Sequence, residues 1–82
     1  MSTTKQTLSQ TEWTQLSTGP VMIDAPMLTN VAVHFGQTPP NMTETAYHTL
    51  VGPTSLTYEG EQAAYARSLS AQGHVIFTAA AP

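Results

Sequence analysis

The sequence predicts an all-β fold: a small β-sandwich or jelly-roll-like barrel of six to seven short antiparallel strands, preceded by a flexible N-terminal arm. Three observations predict it. Apolar residues recur at every second position in several short runs, the spacing that lines one face of a strand. Gly, Pro and Asn separate these runs at intervals of about ten residues, the rhythm of a sandwich or barrel. Fourteen of the 82 residues are Thr, and β-branched side chains suit a pleated surface.

Residues 1–11 hold Thr, Ser and Gln with one Lys and one Leu. They offer little apolar surface to bury, so a mobile arm is expected there and a single β domain over residues 12–82. Residues 12–17 form a first strand carrying Trp13, the only Trp, which reads as a core anchor. Thr18-Gly19-Pro20 marks a turn. Val21-Met22-Ile23 is a short strand, and Asp24-Ala25-Pro26 ends it. In residues 30–35, Val31, Val33 and Phe35 line one face and Ala32 and His34 the other. Gly36 and Pro39-Pro40 stop that ladder, since Pro donates no backbone hydrogen bond.

A polar connection over residues 36–45 leads to a strand at 46–51, stopped by Gly52-Pro53. Residues 55–58 alternate again, with Leu56 and Tyr58 on one face. Glu59-Gly60-Glu61 is a turn or loop. Residues 64–70 place Tyr65, Arg67 and Leu69 on one face and Ala64, Ala66 and Ser68 on the other. A short turn of helix within residues 60–69 competes with that strand, because Glu61-Gln62-Ala63-Ala64 are helix formers. Ala71-Gln72-Gly73 suits a three-residue hairpin loop returning into a final strand, with Val75 and Phe77 on one face.

Composition excludes several functions. Only Lys5 and Arg67 are basic, and the formal net charge is −3. Two separated cations cannot supply the phosphate contacts of a nucleic-acid binder or the attraction to an anionic membrane. No apolar run reaches the ~20 residues that span a bilayer. The polar start lacks the apolar core of a signal peptide, so the expected origin is a cytoplasm. There is no Cys, hence no disulfide and no thiolate metal site. Charged residues make up 9% of the chain, well below the ~25% of typical domains. A surface of Thr, Ser, Gln and Asn is polar but weakly charged, as expected where neighbouring subunits cover it.

No catalytic, cofactor or metal site is expected. His34, His48 and His74 stand in separate strands without a local ligand signature. Glu59 and Glu61 read as solvated charge flanking Gly60. Arg67, mid-strand between Tyr65 and Leu69, needs a carboxylate or carbonyl partner if it is covered. An ion pair with Glu59 or Glu44 and a contact across a subunit interface both satisfy it. Trp13, Tyr65 and Arg67 are the candidate interface residues, these types being enriched at interfaces. Tyr47, Tyr58 and Tyr65 read mainly as core, with a sugar-stacking face as the alternative.

The order of elements resembles that of small tailed-bacteriophage virion proteins, in which one β-sandwich or barrel follows a short polar arm. The matching pieces are Trp13-Thr14, the run from Val31 through Phe35-Gly36 to Pro39-Pro40, Tyr65-Ala66-Arg67-Ser68, and Gly73-His74-Val75-Ile76-Phe77. The resemblance implies a non-enzymatic virion protein that decorates or cements the capsid by binding the major capsid protein or another virion protein, often as a trimer. A tail or fibre module that binds a host-surface glycan is the alternative. It implies no catalytic residues and no cofactor.

Overall fold

Alternation assigns each run a buried face, and the chain completes eight such strands among the described residues. The computed structural model describes residues 2–41, 43, 46–70 and 73–79. The strands are β1 (Ser2–Leu8), β2 (Thr14–Thr18), β3 (Val21–Ala25), β4 (Asn30–Gly36), β5 (His48–Val51), β6 (Thr54–Tyr58), β7 (Ala63–Ser68) and β8 (Gly73–Ala79). They form two four-stranded sheets, ordered β1-β8-β3-β6 and β2-β7-β4-β5, with every neighbouring pair antiparallel. The result is a sandwich of two separate sheets.

The core lies between the sheets. The first contributes Leu8, Val21, Ile23, Ala25 and Val75, and the second Leu16, Val31, Val33, Leu50, Ala64 and Ala66. Each strand gives its alternate residues, as a sandwich requires. The small Ala64 and Ala66 sit on β7, a central strand of its sheet. Phe35, Leu56, Tyr58 and Phe77 close the rim, where the Phe35 and Tyr58 rings stack at 3.9 Å. In β2 the register shifts between Gln15 and Ser17. This bulge lets two consecutive residues, Leu16 and Ser17, both be buried.

Three expectations are corrected, and one competing alternative is excluded. The strand count is eight rather than six to seven. The segment expected as a mobile arm contains β1, which pairs with β8 over seven residues, Ser2 opposite Ala79 through Leu8 opposite Gly73. Its polar side chains disguise a strand that is held by its backbone ladder and by one apolar anchor, Leu8, at 6% exposure. The competing helix at 60–69 is absent. Ala63–Ser68 is strand β7, because burial of Ala64 and Ala66 against the opposite sheet outweighs local helix propensity. The final hairpin is also absent: β7 and β8 belong to opposite sheets, so their connection is a crossover. Ala71 and Gln72 lie outside the described residues.

The turn after β3 matters for the surface. Thr29 donates from both its N–H (3.3 Å) and its hydroxyl (2.6 Å) to the Pro26 carbonyl. The Gly52 N–H donates to the Thr29 carbonyl at 2.9 Å. A Cβ on Gly52 would collide with the Pro26 carbonyl oxygen, so only glycine permits this approach. The turn holds Leu28 at φ 69°, with Met27 69% and Leu28 90% exposed.

Candidate functional site

The outward face of the second sheet carries the most elaborate side-chain arrangement of the molecule. On β7, Tyr65 and Arg67 point away from the core that Ala64 and Ala66 enter. On β4, Ala32 and His34 do the same, with Ala32 opposite Arg67 and His34 opposite Tyr65. Yet Ala32 is fully buried and Tyr65 only 3% exposed. Residues from two connections explain the cover. Trp13, just before β2, and Tyr47, just before β5, lean together over this face with ring centroids 5.9 Å apart.

Trp13 also meets His34 at 6.1 Å. The Arg67 guanidinium carbon lies 5.3 Å from the Trp13 ring centre and 6.0 Å from that of Tyr47. A cation over aromatic faces is attracted by the ring quadrupole, at about 0.5–1 kcal/mol where solvent reaches it. Polar groups fix the arrangement. The Trp13 indole N–H donates to the Asn41 carbonyl at 3.2 Å. Arg67 Nη1 donates to the Gln10 carbonyl at 3.2 Å. His34 Nδ1 lies 2.8 Å from the Ala46 carbonyl. A carbonyl only accepts, so Nδ1 carries the hydrogen of this bond. Arg67 Nε is buried and has no acceptor among the described residues.

The three interface candidates thus share one face, and two of them, Trp13 and Arg67, touch. Trp13 is not the core anchor expected: it is half-buried outside the inter-sheet core and anchors a second, outer cluster. Arg67 takes a carbonyl partner and two rings rather than Glu59; Glu44 lies outside the described residues. The three tyrosines share no open stacking face. Tyr58 stacks on Phe35 at the rim, Tyr65 is covered, and Tyr47 rests on Trp13.

His34 faces outward against Trp13, whereas His48 packs on Phe35 at 6.0 Å, on the opposite side of the same sheet. His74 belongs to β8 in the other sheet. Among the described residues no three His, Asp or Glu side chains converge to hold a metal ion. Glu59 and Glu61 are exposed on either side of Gly60.

Beside the cluster lies an open groove of about 510 Å³ that the sequence reading did not anticipate. Gln15, Thr18, Gln37, Glu61, Gln62 and Tyr65 border it. Gln15 is steadied by a 3.0 Å bond to the Thr18 hydroxyl. The groove assembles from three separate stretches of chain, and no local motif announces it. Compared with known proteins, the chain matches no family model, no curated protein and no solved structure.

Proposed function

We propose that this chain is a non-enzymatic bacteriophage virion structural protein that decorates or cements the capsid by binding the major capsid protein. The observation that carries the reading is the surface. It is weakly charged, and it displays large apolar side chains singly and in one adjacent pair, Met27 and Leu28, on the turn after β3. Such a surface loses little by desolvation when a neighbour covers it, because few charges must be stripped of water. Contacts of this kind contribute ~25 cal/mol per Å² of apolar area, and repetition around a shell multiplies them.

The test is binding to heads assembled from the major capsid protein of the same phage and lacking this protein. Purified chain should co-sediment with them to saturation at a fixed ratio per capsid protein. No co-sedimentation at micromolar concentration overturns the reading.

The groove bordered by Gln15, Thr18, Gln37 and Glu61 favours a second reading, a tail or fibre module that binds a host-surface glycan. Amides and hydroxyls both donate and accept, which matches sugar hydroxyls. Binding on a glycan array that Gln15→Ala and Gln37→Ala abolish without loss of fold would replace the first reading with this one.

A further inference from the structure

The outward face of the first sheet is open, and its side chains form cross-strand rows. One row runs Lys5, Ile76, Asp24, Ser55 across β1, β8, β3 and β6. The next holds Thr3, Thr78, Met22 and Thr57. Lys5 is the only lysine of the chain. Lys5 and Asp24 are the only charged side chains that the strands of this face carry, and they flank Ile76 symmetrically. With strands ~4.8 Å apart, they stand ~10 Å from each other, on either side of the Ile76 side chain, and they form no ion pair among the described residues. Ile76 and Met22 are 36% and 44% exposed. Beyond the sheet, Met27 and Leu28 border a groove with Lys5, Thr7 and His74 and so continue the apolar display at that end.

We infer that this face binds a second copy of the chain, face to face, about a twofold axis lying in the interface along β8. Such an axis sets Ile76 on Ile76 and brings Lys5 of each copy opposite Asp24 of the other, so one row makes two identical ion pairs. An axis running across the strands would set Lys5 on Lys5 and Asp24 on Asp24. The charge pattern therefore selects one symmetry, which is how an isologous interface is specified. Packed sheets lie ~10 Å apart with nearly aligned strands, a gap that Lys and Asp side chains cross together. The pairing is twofold, unlike the trimer that the resemblance implies. It stands independently of the capsid reading.

Sedimentation equilibrium of the full chain tests it, with circular dichroism confirming the fold of each variant. The native chain should be a dimer that weakens with salt. Lys5→Glu and Asp24→Lys should each raise the dimer dissociation constant by about tenfold or more, because each reversal puts like charges in both pairs. The double variant, with the charges exchanged, should recover most of the native affinity. Ile76→Arg, at the axis, should leave only monomer. A native chain that stays monomeric at several hundred micromolar overturns the inference. So does an assembly of any size that is indifferent to the single reversals, or a double variant no tighter than either single one.

Discussion

Leu28 adopts φ 69°, a left-handed conformation that a Cβ disfavours by about 1–2 kcal/mol. With 90% of its surface exposed, it gains little from burial in return. Leu28→Gly removes the steric conflict while adding some unfolded-state entropy, so it should raise stability by up to ~1 kcal/mol in urea unfolding. Under the capsid reading, the same change should weaken binding to heads, because the side chain kept at a cost is the one offered to the partner. Trp13 behaves in the opposite way. It holds Tyr47, His34 and Arg67 together, so Trp13→Ala should destabilise the fold by ~2–3 kcal/mol, less than the ~3–5 kcal/mol for a fully buried aromatic because Trp13 is only half-buried. Urea titration followed by far-UV circular dichroism reads this, and a loss under 1 kcal/mol would show that the outer cluster is not part of the stable fold.

At the scale of elements, β1 is the instructive case. Alternation in β4, β7 and β8 was legible, and in β4 and β8 apolar residues mark the inner face, Val31 and Val33, and Val75 and Phe77. In β7 the small Ala64 and Ala66 turn inward and the larger Tyr65 outward, which residue size does not announce. β1 has one such marker, Leu8, and otherwise uses the ladder to β8 that a residue-by-residue reading cannot see. Removing residues 1–8 would lose that anchor and uncover the backbone edge of β8. The truncated chain should unfold at lower temperature and aggregate near its transition. Leu8→Ala alone should cost about 2 kcal/mol, lowering the midpoint by ~8–16 °C for a domain of this size. An unchanged midpoint in either variant would mean that β1 is not docked in solution. The candidate site divides along the same line. Trp13, Tyr65 and Arg67 could be singled out by residue type. That Trp13 meets Arg67 across 54 positions depends on β2 lying beside β7, and strand order is set by the whole core rather than by any local pattern.

For the molecule as a whole, the topology sets both the shape and the surface. Among successive strands only β4 and β5 are neighbours in a sheet; every other connection passes from one sheet to the other. β1 pairs with β8, so the first sheet is completed only when strands distant in sequence have met. Contacts so distant in sequence predict refolding in milliseconds to seconds rather than microseconds, measurable by stopped-flow fluorescence of Trp13. The finished sandwich puts apolar residues between its sheets and Thr, Ser and Gln over most of its outside, with few charges. Composition alone indicated that surface, and its expected use, coverage by neighbours, is the central claim. The most direct test is the copy number in purified virions, counted by quantitative mass spectrometry against the major capsid protein. A decoration or cement protein should be present in hundreds of copies at a fixed ratio to that protein. Absence from virions would contradict the account, and a count of a few to a few dozen would place the chain in a tail or fibre instead.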